Sequence, residues 1–160
     1  MSNVHFVDTS VLVELLNVPN MNDRHAQAQK EYNDLAAKGD VFVLPVAVLV
    51  ETGNHIAHIA NGNIRRQIAI NFSSLVGKAI NSEDNWNTVP DIQINTLKTI
   101  MHNFPDLAHD KMGFGDISII EQFNDYWKNR QPIGEMRIWA FDDHLQGYHQ
   151  IGGLSRRKDR

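Results

Sequence analysis

Short apolar segments alternate with longer amphipathic segments along the chain. Val4–Val7 and Val41–Leu44 are rich in β-branched and aromatic residues, and Met136–Phe141 alternates apolar residues as a buried strand does. The segments between and after them carry apolar residues at helical spacing. This order predicts strands that alternate with helices, and therefore a three-layer α/β/α sandwich around a central, mainly parallel sheet.

Capping and breaking residues give the predicted helices their limits. Thr9 and Ser10 are capping residues in front of the helical sequence VLVELL, and Pro45 suits the first turn of a helix. The segment Pro105–Gly115, with proline, glycine and charges, is predicted to be a loop. The other predicted helices cover residues 22–38, 45–61, 63–80, 91–104 and 116–128.

Composition limits the possible classes of protein. A chain of 160 residues with 42% hydrophobic content suits one domain, which we expect over residues 1–154, followed by a basic tail over 155–160. The lack of cysteine excludes disulfides and thiolate metal sites. A net charge of -4 neither supports nor excludes an RNA partner. The N-terminus does not resemble a signal peptide, and the apolar runs are shorter than the roughly 20 residues that span a bilayer, so we expect a cytoplasmic protein with no membrane association.

Several acidic residues stand in apolar surroundings, where an unpaired carboxylate is costly. Asp8 and Asp142 each follow a predicted strand, at the end where parallel sheets bind ligands. Glu51 and Asp116 lie on predicted helices in the contexts AVLVETG and GFGDISII. Two carboxylates about 4 Å apart repel by roughly 4 kcal/mol at an effective dielectric near 20. A divalent cation such as Mg²⁺ or Mn²⁺ would relieve that repulsion and could activate water towards a phosphodiester.

The ordered set of motifs resembles the PIN-domain ribonucleases, and among them the VapC-like toxins of type II toxin–antitoxin systems. VDTSVLVELL is similar to the opening motif of the family, in which a strand delivers the first acid, and GFGDISIIEQF and WAFDDHLQGY are similar to later motifs. Ala140 stands where the family often carries threonine. The resemblance implies that the catalytic residues and metal ligands are Asp8, Glu51, Asp116 and Asp142, supported by Ser10 and Asp143.

The resemblance also implies an activity and partners. It implies an endoribonuclease that depends on Mg²⁺ or Mn²⁺, hydrolyses RNA phosphodiester bonds and is held in check by an antitoxin protein. Family members commonly form homodimers, and the apolar helix face of Ile64, Ile68 and Phe72 suits either such an interface or the core. The alternative function is a catalytically silent PIN-like binding module.

Each candidate residue also has a purely structural interpretation. Asp8 and Asp116 could act only as helix caps, and Glu51 could be a solvated helix residue. Glu51, His55 and His58 share a helical face, but the HExxH pattern of zinc enzymes is absent, so we interpret the two histidines as an ordinary polar face.

Two other enzyme and signalling classes fit less well. Phosphatases that form an aspartyl phosphate usually carry a second aspartate two residues after the first, and here that position is Ser10. Receiver domains have their acid pair early in the chain, whereas Asp142 and Asp143 come late. Basic residues that could follow an RNA backbone include Arg65, Arg66 and the C-terminal tail, which we interpret mainly as solvated.

Overall fold

A computed structural model of the protein describes residues 2–130 and 133–152. The predicted domain end at 154 and the predicted basic tail lie outside the described residues. The described residues form, in chain order, β1 (Val4–Val7), α1 (Thr9–Leu15), α2 (His25–Ala37), β2 (Val41–Pro45), α3 (Val46–Ala57), α4 (Gly62–Asn81), β3 (Trp86–Val89), α5 (Ile94–His109), α6 (Phe114–Asn129), β4 (Glu135–Trp139) and β5 (His149–Ile151).

The strands form one sheet with the order β3-β2-β1-β4-β5. The first four strands in this order are parallel, and β5 is antiparallel to β4. Val7 and Trp139, the last residues of β1 and β4, are partners in the register, and the Asp8 backbone N donates to the Trp139 carbonyl at 3.0 Å. The carboxyl ends of β1 and β4 therefore lie side by side, and the predicted parallel sheet is confirmed.

Helices cover both faces of the sheet. Phe6 of β1 packs on Phe123 and Tyr126 of α6, with ring centroids 5.6 and 5.3 Å apart. On β2, Phe42 is in register with the residue before Phe6, so its side chain points to the opposite face, where it packs on Tyr32 of α2 at 4.9 Å. The predicted three-layer α/β/α arrangement is confirmed.

Two strands were not predicted from the sequence. β3 lies in the polar stretch around Trp86 and pairs with β2 at one edge of the sheet. Its Asn87 and Thr88 interrupt the apolar pattern, because an edge strand is covered on fewer sides. β5, at the other edge, is exposed along its whole length. Pairing with a neighbour, rather than a local pattern, specifies both strands.

The helix boundaries predicted from the sequence are wrong at two prolines. The predicted loop Pro105–Gly115 is wrong over its first half, because α5 continues to His109 with Pro105 inside it. Proline removes the hydrogen bond to the carbonyl four residues earlier, that of Met101, which is an exposed residue, so water can replace the lost donor. Pro45 ends β2 and precedes α3 instead of opening the helix.

The apolar face of α4 that suited a dimer belongs largely to the core. Ile68 is buried, and Phe72 is partly buried and packs against the core, whereas Ile64 is exposed. A homodimer through this face stays a prediction. Among the described helices, none combines the length and the apolar character needed to cross a membrane.

Candidate active site

All four predicted acids line one cavity at the carboxyl ends of the parallel strands. The cavity has a volume of about 470 Å³, and we call it the acidic cavity. Its lining residues are Asp8, Thr9, Ser10, Met21, Glu51, Asn54, His55, Asp116 and Asp142. The chain thus brings together acids from the ends of β1 and β4 with acids from α3 and α6.

Ser10 joins the two strand ends that carry acids. Its hydroxyl donates to Asp8 Oδ2 at 2.6 Å and accepts a hydrogen bond from the Phe141 backbone N at 2.9 Å. Phe141 directly precedes Asp142, so one hydroxyl fixes the first acid and the backbone beside the last one. This contact fits the supporting position that the sequence suggested for Ser10.

Asp8 is a buried carboxylate that also caps a helix. Only 4% of Asp8 is exposed, and its Oδ2 accepts from the Ser10 backbone N at 3.1 Å as the N-cap of α1. Burial raises the pKa of Asp8, and the Ser10 hydrogen bonds oppose that rise. Asp8 therefore caps α1 and lines the acidic cavity at the same time.

Glu51 is positioned by Thr9 and Gly115. The Thr9 hydroxyl donates to Glu51 Oε2 at 2.8 Å. Gly115, in the first turn of α6, lies so close that a Cβ placed on it would be 2.5 Å from Glu51 Oε1. Only a residue without a side chain lets α6 approach α3 this closely while Glu51 keeps its place.

Asp116 lies in the first turn of α6 and does not cap it. The N-cap is Gly113, with no side-chain capping bond, so the interpretation of Asp116 as a cap is wrong. Desolvation, followed by the charges of Asp8, Asp142 and Glu51, raises the pKa of Asp116 to about 6. The other three carboxylates are therefore close enough to disfavour its ionised form.

Asp142 and Asp143 differ in their surroundings. Asp142 lines the acidic cavity, and its Oδ1 accepts a hydrogen bond from the His144 backbone N at 3.0 Å. Asp143 is exposed and is not among the residues that line the cavity. β4 ends at Trp139 rather than Phe141, so Asp142 is carried by the turn that follows the strand.

Four residues of the cavity were not predicted to belong to it: Thr9, Met21, Asn54 and His55. Asn54 and His55 follow Glu51 at helical spacing on α3, and this periodicity was the available signal. Thr9 directly follows the first acid but was interpreted as a cap. Met21 lies in the loop between α1 and α2, and no local pattern marks it.

The donor set suits a divalent cation that prefers oxygen ligands. Four carboxylates line one cavity, and the charges of the other three contribute to the raised pKa of Asp116. As the side chains stand, however, no three His, Asp or Glu side chains among the described residues are arranged so that they could hold a metal ion. Asp8 and Glu51 instead accept hydrogen bonds from the hydroxyls of Ser10 and Thr9.

Comparison with known proteins adds a structural neighbour. No family model matches the chain, and no curated protein matches its sequence. VapC20 of Mycobacterium tuberculosis, named as a sarcin-ricin loop cleaving toxin, has a similar structure with a TM-score of 0.62 and 19% sequence identity, covering 92% of this chain and 98% of that one. The fold is PIN-like.

The PIN-like fold agrees with the resemblance seen in the sequence. The likeness extends over nearly the whole of both chains, so it includes the sheet and the helices that carry the acidic cavity. At this level of identity it establishes the fold, and the argument for function rests on the cavity itself.

Proposed function

We propose that the protein is a metal-dependent endoribonuclease that hydrolyses RNA phosphodiester bonds, with Asp8, Glu51, Asp116 and Asp142 as its catalytic carboxylates. The observation that carries the proposal is the convergence of these four carboxylates on one cavity at the carboxyl ends of the parallel strands, where burial and the other three charges raise the pKa of Asp116. Structural ion pairs neutralise one another, whereas four like charges on one cavity need an external cation. Such a cavity at the carboxyl end of a parallel sheet is typical of a ligand site.

The residues of this chain would hold and orient the reacting groups. Ser10 keeps Asp8 and the backbone beside Asp142 in place, and Thr9 keeps Glu51 in place. Asp8, Glu51, Asp116 and Asp142 would supply the oxygen ligands for Mg²⁺ or Mn²⁺. When bound, such an ion lowers the pKa of water and offsets the charge that develops on the phosphate. Burial of Asp8 keeps competing water away from this carboxylate.

The neighbour suggests a biological setting for this chemistry. VapC20 is named as a sarcin-ricin loop cleaving toxin, and it shares the fold. We infer that this protein acts in the same way, as the toxin of a toxin–antitoxin pair in the cytoplasm. It would then require an antitoxin protein, and a homodimer is the assembly we expect.

Cleavage assays test the proposed activity. The purified chain is incubated with single-stranded and structured RNAs in Mg²⁺, in Mn²⁺ and in chelator, together with Asp8→Asn and Asp116→Asn. The matched control is Asp34→Asn, because Asp34 is an exposed acid on α2 that pairs with Lys30 in an i,i+4 contact. We expect metal-dependent cleavage by the wild type and by the control, and none by the cavity variants.

Two results would contradict the proposal. Cleavage that persists in chelator would exclude the metal, and cleavage by folded Asp116→Asn at the wild-type rate would exclude the acidic cavity. If no RNA is cut, calorimetric titration with Mn²⁺ distinguishes the remaining cases. No binding at all would favour the alternative, a catalytically silent PIN-like binding module.

A further inference from the structure

A second groove adjoins the acidic cavity. It has a volume of about 380 Å³ and shares Met21 and His55 with the acidic cavity. We call it the adjoining groove, and its main residues are Met21, His55, His58, Ile59, Ala60 and Ile64. The shared residues place the two cavities next to each other on the surface.

The two cavities differ in charge. The acidic cavity is lined by four carboxylates, whereas the described residues that line the adjoining groove include no acid and no lysine or arginine. Its surface consists of apolar side chains, histidines and asparagines. An RNA strand also has a charged part and an uncharged part, because its phosphates are charged and its bases are flat and uncharged. Unpaired bases bind on apolar and aromatic side chains, including histidine.

His58 has a fixed ring orientation at this groove. Its Nδ1 lies 2.7 Å from the Asn54 carbonyl oxygen, and because a carbonyl only accepts, Nδ1 carries the proton and donates. The neutral ring then has Nε2 as its acceptor. A base edge with an amino or imino N–H is a matching donor, and Asn54 itself lines the acidic cavity.

A positive charge is held beside the groove. The Arg65 guanidinium donates to the carbonyl oxygen of Ile59 at 2.7 Å, and Ile59 is one of the lining residues. The arginine belongs to the first turns of α4 and is exposed. A guanidinium at this place complements the phosphate that follows a base seated in the groove.

We propose that the adjoining groove binds an unpaired nucleotide of the substrate, next to the phosphate that is cut. This inference rests on the proposed function and deepens it, because it gives the base beside the cleaved phosphate a binding site of its own, lined by residues of α3, α4 and the loops next to them.

A binding experiment tests the groove separately from catalysis. Fluorescence anisotropy is measured with Asp116→Asn, which is expected not to cleave, and two labelled probes: a hexaribonucleotide and a strand with the same sugar–phosphate backbone but no bases. Ala60→Phe is added to fill the groove, since Ala60 is exposed on its rim. Ala57→Phe is the matched control, because Ala57 is an exposed alanine of α3 that does not line the groove.

The parent is Asp116→Asn without a substitution in the groove. We expect it to bind the hexaribonucleotide about tenfold more tightly than the base-free strand, because removal of one stacked base typically weakens binding by about that factor. Ala60→Phe should abolish this preference and Ala57→Phe should keep it. Ile64→Ala, which removes an apolar wall, should reduce it.

Equal binding of both probes by the parent, or an unchanged preference in Ala60→Phe, would overturn the groove proposal, and so would a lack of any RNA binding. In the first two cases metal-dependent cleavage by the wild type would still support the proposed function. If the wild type cleaves no RNA but the parent still prefers the hexaribonucleotide, the proposed nuclease activity is refuted and the groove stays a base-binding site.

Discussion

Two groups of buried ionisable residues lie at different places along the sheet. At the carboxyl ends, the acidic cavity gathers four carboxylates. Nearer the amino ends, His5 of β1 contacts Asp40, which precedes β2, and Arg137 of β4. His5 and Asp40 are each 4% exposed, as is Asp8 of the acidic cavity. Burial alone therefore does not distinguish the two groups.

Their pairing does distinguish them. The Arg137 Nε–H donates to His5 Nδ1 at 2.9 Å, so the His5 proton lies on Nε2, which donates to Asp40 Oδ2 at 2.8 Å. This cluster contains one cation, one neutral ring and one anion, and its charges cancel. The acidic cavity has hydroxyl and backbone donors but excess negative charge. The comparison indicates that the His5 cluster holds the strands together, whereas the acidic cavity carries the unpaired negative charge on which the proposed function rests.

The sharpest test of this difference is Asp116→Asn, which should affect activity and stability in opposite directions. Loss of one metal-binding carboxylate should reduce cleavage about a thousandfold, because the metal contributes several kcal/mol to the transition state. The free energy of unfolding in chelator at pH 7 should rise by about 1 kcal/mol, since a half-buried carboxylate with a raised pKa is disfavoured when ionised and solvent screens part of the effect.

Urea unfolding and initial cleavage rates measure the two effects. Asp34→Asn is the control, because Asp34 is an exposed acid on α2 that does not line the cavity. It should change neither quantity by much. A destabilised Asp116→Asn would mean that the acids are compensated within the protein, and the distinction between the two clusters would fail.

His5→Phe should show the reverse pattern. The substitution leaves Asp40 buried without its partner, which typically costs about 3 kcal/mol of unfolding free energy. Cleavage per folded molecule should stay within a few-fold of the wild type, because His5 does not line the acidic cavity. Denaturant titration and an assay at a temperature where the variant is folded check both statements. A large loss of cleavage in the folded variant would show that the two clusters are coupled.

Gly115→Ala tests the close approach of α6 to Glu51. The added Cβ would displace the carboxylate from the Thr9 hydroxyl, and a hydrogen bond to a charged group is worth about 1.5 kcal/mol, so cleavage should fall roughly tenfold. Gly77→Ala in α4 is the matched control, because nothing lies within 4 Å of its new Cβ. The control should cleave normally and gain up to about 1 kcal/mol of stability. Equal cleavage rates for Gly115→Ala and Gly77→Ala would show that Glu51 does not take part in the proposed cleavage.

The smallest expected effect is the pH dependence of stability that His5 contributes. Burial, helped by the charge of Arg137, lowers the pKa of His5 below its usual 6.5 despite the opposing effect of Asp40. The unfolded chain therefore binds a proton before the folded chain does. Stability from His5 is complete above pH 6.5 and is lost as the pH falls through the lower folded pKa. The difference in unfolding free energy between wild type and His5→Phe should shrink over that range, and a constant difference would contradict the shift.

The fold could be predicted largely where burial on two faces imposes a pattern. β1 was predicted residue for residue, because Val4–Val7 is buried along its whole length. β3 and β5 could not be predicted, since an edge strand needs apolar residues on fewer positions and depends on its neighbour for register. Pro105 shows the limit of local rules, because packing of the rest of α5 outweighs one missing hydrogen bond.

The acids of the cavity could be found because a carboxylate after an apolar strand is unusual in sequence. Their partners were harder to identify. Thr9 and Gly115 act through contacts with Glu51 that join different helices, and no spacing along the chain encodes such a contact. His55 was assigned to an ordinary polar face because the pattern expected for zinc enzymes was absent, although its helical spacing from Glu51 placed it correctly. Asp143 stays a prediction as a supporting residue.

The bridge made by Ser10 has a consequence for the time at which the site forms during synthesis. Ser10 and Phe141 are 131 residues apart in sequence, and their hydrogen bond closes the sheet between its first strand and β4. At about 5 to 20 residues per second, a ribosome needs roughly 7 to 26 seconds to make the chain between them. During that interval Asp8 is already translated while its counterpart Asp142 does not exist. The acidic cavity is therefore completed only after β4 and the turn that follows it have been synthesised.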